Sequence, residues 1–366
     1  MLKNFTERKV PFVRSRWFIV FLLLVSSIGL SQERFFYTGK SYGSEAMYNP
    51  VYLLLNGSYD IIQLEGHTRD VFTYHYGTGA ANVLRNLGSP FRTIGHYGVG
   101  KFLKQEVFPI GLGIGEAQWW PNYQLHLIGG GMTYVATAEW YEHYGFPVPN
   151  ILSMVTMGAY HFLNEVVENG NYVGETVDPI ADLYIFDVGS VILFSFDGVK
   201  RFFRDELHLA DWSLQPSLAL PTWTLQNNGQ FFSMKWKLPF SESVHLFYYF
   251  GLRGLLGLSK KFDDGSAFSF GLGLRAIKLE TLERTTNTQT VDLRWSAGVF
   301  FDRENSLLAS LFWSDYLDNT LNLNIYPGIV HLGGFSPGLW FVVSKNSGTI
   351  VGLTTIWAPG LGYEPR

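Results

Sequence analysis

The sequence predicts an α+β protein: an N-terminal signal peptide, an apolar helical domain and a C-terminal antiparallel β-barrel of about 8–10 strands. Three observations carry that expectation. The chain opens on a basic segment followed by an apolar run, residues 211 to 357 alternate apolar with small or polar residues between turns, and the stretch between them has helical lengths and spacing.

Composition narrows the class. Aromatic residues make up 17% of the 366 residues and Gly counts 39, while only 16% are charged, against about 25% in soluble domains. Mean hydropathy is nevertheless only +0.07. A helical transporter needs several uninterrupted apolar stretches, whereas a barrel hides its membrane signal in alternation. The net charge of −4 offers no electrostatic footprint for nucleic acid. The absence of cysteine excludes a lipoprotein anchor and structural disulfides.

The first element is the signal peptide, 1–31. Lys3, Arg8, Lys9, Arg14 and Arg16 precede the apolar Trp17 to Val25, and Gly29 and Ser31 supply small residues for cleavage near Ser31. An uncleaved anchor is the competing reading, although the run is shorter than the roughly 20 residues that span a bilayer.

Residues 32–205 form the predicted helical domain, with helices over 70–88, 92–108, 122–143, 150–169 and 179–204. Pro109, Pro121, Pro147 and Pro149 punctuate them. Thr176-Val177-Asp178-Pro179 reads as a helix start, with Asp178 as the cap and Pro179 at the first helical position. The apolar stretches Leu125 to Tyr141 and Ile180 to Phe196 are interrupted by His126 and Glu139, and by Asp182 and Asp187. A central Asp costs roughly 2.5 to 3.5 kcal/mol on membrane insertion. The helices are therefore expected to pack in or against the barrel; the competing reading has two or three of them spanning an inner membrane.

Residues 206–366 form the predicted barrel. Val291 to Val299 places apolar residues at odd positions and Asp, Arg, Ser and Gly at even ones, which a strand sends to opposite faces. The same phase runs through Phe268 to Leu274, Leu321 to Ile325 and Phe232 to Leu238. Turns fall at Asn227-Asn228-Gly229, Asp263-Asp264-Gly265, Asp302 to Asn305, Asp318-Asn319 and Asn346 to Gly348. About nine strands result, and the even count of bacterial barrels makes the expected total eight or ten. Lys235, Arg275, Asp292 and Arg294 are the lumen-lining candidates. Trp212, Trp223, Trp236, Trp295, Trp313, Tyr316, Tyr326, Trp340 and Trp357 lie toward strand ends, read either as interfacial girdles or as core aromatics. A soluble β-sandwich is the alternative fold, but its exposed face would carry more charge than the Ser, Gly and Asn found here.

Chemistry-bearing residues concentrate in the helical domain: His126, Glu139, His161, Glu165, Asp178 and Asp182 are the candidate catalytic residues. Glu139 with His143, His161 with Glu165, and Asp178 with Asp182 stand four apart, on shared helix faces. Facing helices that offer such groups suit a metal site, a general acid/base pair or a buried hydrogen-bond network. No pair matches His-Glu-x-x-His, and no Gly-x-Ser-x-Gly elbow or phosphate-cradling loop is present. Gly95 to Gly100 lacks the strand-turn-helix setting of a dinucleotide site. Hydrolase chemistry would need Ser153 or Thr133 beside His161 or His126.

Asn122 to Gly131, Glu139-Trp140-Tyr141-Glu142, Asn164-Glu165 and Asp178 to Asp182 together resemble uncharacterised envelope proteins of Gram-negative bacteria. In these a helical hairpin precedes a β-barrel. The resemblance covers roughly residues 90 to 205 and implies an outer-membrane location without an established reaction.

The expected function is an outer-membrane barrel with a structural or small-solute transport role, its lumen plugged or braced by helices. The alternative is a lipid-modifying enzyme that uses the His/carboxylate cluster. Outer-membrane lipid, lipopolysaccharide or a small solute are the expected partners; no cofactor is implied, and the sequence carries no signal for an oligomeric state.

Overall fold

The computed structural model describes residues 33–109, 120–283, 288–315, 319–345, 348–357 and 359–365, with 120, 279–283 and 288–291 described by backbone alone. The segment read as a signal peptide lies outside the described residues, as does Tyr316. Residues 34–366 form one compact unit.

Helices occupy the first half. Short ones at Gly43–Met47 and Pro50–Gly57 come first, the second capped by Asn49, whose side chain accepts from the Val51 and Tyr52 N–H groups ahead of Pro50. Tyr76–Leu87, Pro90–Tyr97, Gly130–His143 and Pro149–Asn169 follow. Asp178–Ile180 runs on through Ala181–Phe186 into Asp187–Phe194. The predicted start at Thr176 to Pro179 is correct in place, but Asp178 is the first helical residue, and Val177 holds the cap position without a side-chain capping bond. The Asp178 side chain is turned to other work. No single helix among the described residues is long and apolar enough to cross a membrane, although the bent pair Asp178–Phe194 and Asp197–Glu206 has the length and composition.

The second half is one thirteen-stranded sheet, in the order β1-β4-β5-β6-β7-β8-β9-β10-β11-β12-β13-β2-β3. The strands are β1 Ala210–Asp211, β2 Ser217–Leu220, β3 Thr224–Gln226, β4 Phe232–Lys237, β5 Val244–Phe250, β6 Arg253–Lys261, β7 Ser266–Glu283, β8 Thr288–Arg303, β9 Ser306–Ser314, β10 Leu321–Ile325, β11 Gly338–Ser344, β12 Gly348–Thr354 and β13 Gly360–Tyr363.

Three features correct the expected barrel. The described residues form thirteen strands rather than eight to ten, because several are only two to four residues long, too short to show alternation. The sheet is not antiparallel throughout, since β13 pairs β2 in parallel. Nor is it a closed barrel, since β1 and β3 end the order without pairing. The chain itself links the two sides: residues 212–216 join β1 to β2, and the Trp212 and Leu214 N–H groups continue the β1–β4 pairing to the Phe231 and Gly229 carbonyls.

The turns explain the register. Between β8 and β9, Glu304 and Asn305 both have positive φ, 49° and 65°, the geometry of a two-residue turn that matches strand twist. Between β6 and β7, Gly265 at φ 81° takes a conformation that a side chain resists.

The period-2 pattern becomes two contrasting faces. On the packed face Trp212, Phe247, Tyr249, Phe300, Phe312 and Tyr326 form one cluster, joined by Met47 and Tyr52 from the first helices. On the outer face Leu256 is 57% exposed, Leu272 53% and Trp295 65%. The aromatic residues split accordingly, with Trp212, Tyr326 and Trp340 buried and Trp223, Trp236, Trp295, Trp313 and Trp357 exposed. Of the lumen candidates, Lys235 and Arg275 are buried on the packed face. Asp292 and Arg294 share its parity but sit half-exposed and pair with each other at 3.3 Å, Arg294 level with the end of β6 and Asp292 on the part of the β7–β8 hairpin that runs past it.

Helices meet both faces. Phe232 and Phe250, of outer-face parity, are buried in a cluster with Met132, Val135, Met157 and Phe194, and Tyr248 donates to Gln124 Oε1 at 2.6 Å. Gly129 makes this approach possible, since a Cβ there would fall 2.5 Å from the Phe232 ring.

Candidate functional site

Four helical segments converge on a buried polar centre. Glu106 lies on Leu103–Val107, His126 on Trp120–Gly129, His161, Glu165 and Glu168 on Pro149–Asn169, and Asp178, Asp182 and Asp187 on the run from Asp178. Leu103–Val107, Trp120–Gly129 and Ala181–Phe186 wind with the wide π turn, which is rare and frequent at functional sites.

The centre has two connected parts. In the first, Asp187 lies between two imidazoles: His126 Nδ1 is 3.1 Å from Oδ1 and His161 Nδ1 is 2.6 Å from Oδ2. The rings stand 4.7 Å apart. His126 turns its other nitrogen to Asp182, with Nε2 3.2 Å from Oδ2. In the second part, ligand atoms of Glu165, Asp178 and Asp182 lie within 4.8 Å of one another. Glu165, Asp182, Asp187, His126 and His161 are all buried, and Asp178 is partly exposed.

Charge follows from these contacts. Acidic side chains face both nitrogens of His126, which favours the cationic ring. Burial alone would lower its pKa, but Asp182 and Asp187 outweigh that and push it up to about 9. His161 is the opposite case. Burial holds its pKa below the ordinary value, so the ring is neutral, donates its Nδ1 proton to Asp187 and keeps a lone pair on Nε2. Asp187 stays ionised: burial opposes it, but His161 and His126 hold its pKa down.

The remaining carboxyls hold protons more tightly than usual. Burial first, then Asp178 and Asp182, push Glu106 and Glu168 up to about 8 each. Burial pushes Asp182 up to about 7, and Glu165 and Asp178 are raised as well. Buried carboxylates need partners, and here several share His126.

Five of the six candidates thus meet: His126, His161, Glu165, Asp178 and Asp182. Glu139 does not join them. Its carboxylate accepts from the Phe35, Phe36 and Tyr37 N–H groups at 2.6, 2.9 and 2.8 Å, and His143, one turn on, contacts Arg34 at 2.8 Å. That shared face clamps the start of the described chain. Ser153 donates to the Tyr134 carbonyl and Thr133 accepts from Gln230; neither hydrogen-bonds a His. The centre also includes Asp187, Glu106 and Glu168, which the candidate set lacked. Asp187 stands five residues after Asp182, a spacing that an α-helix turns aside and a π turn brings round.

The arrangement can relay a proton along His126, Asp187 and His161, or hold a positive ion among its oxygens. Comparison of the chain with known protein families, with curated proteins and with solved structures finds no match.

Proposed function

We propose that this chain is an outer-membrane protein whose curled sheet presents its outer face to lipid and braces, on that same side, a helical body with a buried His/carboxylate centre. The observation that carries the reading is the outer face itself. Leu246, Leu256, Leu258, Phe268, Phe270, Leu272, Leu274, Leu293, Trp295, Leu311, Trp313, Phe341, Val351 and Leu353 are all exposed, far more contiguous apolar surface than a soluble protein leaves in water. Strands β6 to β9, of 9 to 18 residues, meet the roughly 9 to 11 residues that a tilted spanning strand needs. Over β10 to β13 this face hollows into an apolar groove of about 570 Å³ lined by Leu323, Ile325, Phe341, Leu353 and Leu361. In this reading the seam between β1 and β3 is bridged by the continuous segment 210–220.

A structural role fits better than transport. The packed face is filled by Trp212, Phe247, Tyr249, Phe300 and Phe312, each at most 1% exposed, which leaves a solute no room. The resemblance to Gram-negative envelope proteins supports the same location.

A second reading, a lipid-modifying enzyme, is favoured by the neutral His161 backed by Asp187, the base-and-orienter pair of hydrolytic sites. Tyr184, Val188 and Ile192 on the segment that carries Asp182 and Asp187 are exposed at a spacing of four, an apolar stripe suited to a bilayer. In this reading His161 activates water toward a phospholipid or lipopolysaccharide ester.

Membrane fractionation with gel mobility before and after boiling tests the proposal. Outer-membrane recovery with a heat-dependent shift is expected; recovery in the soluble or inner-membrane fraction without a shift would reject it.

A further inference from the structure

We propose that Glu165, Asp178 and Asp182, with Glu106 closing the site, bind one divalent cation that prefers oxygen ligands, in the class of Mn²⁺, Mg²⁺ and Ca²⁺. The inference is independent of whether the sheet meets lipid.

The first support is spacing. Oxygens on opposite sides of one such ion stand about 4 to 5 Å apart, given bonds of roughly 2.0 to 2.6 Å, and the three ligand atoms here fall within 4.8 Å of one another. The side chains come from two helices, Pro149–Asn169 and the run from Asp178, so the fold assembles the set.

The second support is a pair of orphaned oxygens, one on the cluster and one outside it. Asp182 Oδ1 and Glu106 Oε2 are buried without a hydrogen-bond partner among the described residues, on side chains 5% and 6% exposed. Glu106 comes from a third helical segment, Leu103–Val107, which packs against Ala181–Phe186, the segment that carries Asp182. Buried polar atoms are nearly always satisfied, and an orphan points to an absent partner. An orphaned carboxylate oxygen beside other carboxylates calls for a cation.

The surrounding groups fit that role. The donor set is all oxygen, which suits hard ions. His126 Nε2 stands 3.2 Å from Asp182 Oδ2 while its Nδ1 hydrogen-bonds Asp187, a charged neighbour that helps orient a ligating carboxylate. Asp178, the partly exposed member, gives the ion a way in. The competing occupant is the proton, which would neutralise the same carboxyls without a metal.

The test uses the full chain, folded in detergent and stripped with a chelator. Mn²⁺ is titrated and free ion is read by its electron paramagnetic resonance signal. The expected result is one Mn²⁺ per chain, displaced by excess Ca²⁺ or Mg²⁺, with affinity falling at least about tenfold in Asp178→Asn and in Glu165→Gln. His161→Ala, which alters the neighbouring His-Asp-His group, should keep the ion. Thermal unfolding in chelator serves as the fold control: both carboxamide variants should be about as stable as the parent, because a neutral amide replaces a buried carboxyl that is costly to ionise, yet lose the stabilisation that Mn²⁺ gives the parent. Glu106→Gln provides a further variant should either unfold. No stoichiometric binding by the folded parent would overturn the proposal in favour of protons, and binding lost in His161→Ala but kept in Asp178→Asn would overturn it by placing the ion among His126, His161 and Asp187.

Discussion

Replacing Glu139 should release the start of the described chain, and the structure sets the size of the effect. Its two oxygens accept three backbone N–H groups, from Phe35, Phe36 and Tyr37. In Glu139→Ala these donors either stay buried, at about 1 to 3 kcal/mol each, or the segment peels into water and forfeits the burial of Phe35 and Tyr37, at about 1.5 to 3 kcal/mol each. Phe35 is 5% exposed and Tyr37 3%, so peeling costs about 3 to 6 kcal/mol and caps the loss, since the stranded donors could cost more. The carboxyl also makes the clamp pH-dependent. Burial pushes its pKa from 4.5 up to about 7, against the pull of the three amides. The folded chain therefore keeps a proton that the unfolded chain releases, so this contribution is fully present below about pH 4.5, is lost as pH rises through about 7, and is flat above. Glu139→Gln cannot titrate. It should be about 1 to 2 kcal/mol less stable than the parent at pH 5, having one acceptor oxygen for three donors, and the gap should close by pH 8. The assays are urea unfolding in detergent at both pH values and amide hydrogen exchange at 35–37. Unchanged protection of those amides in Glu139→Ala, or a Gln gap that ignores pH, would refute the reasoning.

Other residues allow shorter tests. A Cβ at Gly131 would lie 2.1 Å from the Phe194 ring, whereas one at Gly158 meets nothing within 4 Å; thermal unfolding should show Gly131→Ala destabilised by about 1 to 3 kcal/mol and Gly158→Ala unharmed or stabilised by up to about 1. Lys235 and Asp302 pair at 2.6 Å, with side chains 5% and 1% exposed. Lys235→Met should cost about 3 to 5 kcal/mol by stranding Asp302, and adding Asp302→Leu should recover most of it, as read by urea midpoints. Asp187→Asn removes the charge shared by both imidazoles, so the His126 pKa, followed by NMR, should fall below about 9 while Asp182 still holds it up.

The two faces of the sheet were legible in the sequence because a strand has a strict period of two: Ser269 and Gly271 pack while Phe268 and Phe270 face out, as the alternation implies. The pairs His161–Glu165 and Asp178–Asp182 were legible through helical spacing. The strand total was not, because β1 to β3 carry too few residues to alternate and the β13–β2 pairing joins segments about 140 residues apart. Asp187 escaped because the backbone between it and Asp182 follows a π turn. Glu106 escaped because tertiary folding alone brings it to Asp178 and Asp182. Glu139 and His143 do share a face, but its partner is the segment 34–37, which no local pattern identifies.

A lipid-facing sheet is tested most directly by spin-label accessibility, and a chain without cysteine gives single sites without background. Nitroxides at Leu258→Cys, Leu272→Cys and Leu311→Cys on the outer face, and at Asp263→Cys in the β6–β7 turn, would be read in reconstituted bilayers against oxygen and a water-soluble nickel complex. The expected result is high oxygen and low nickel access at the three outer sites, with the reverse at Asp263→Cys. Nickel access at the outer sites equal to that at the turn would contradict a sheet that faces lipid.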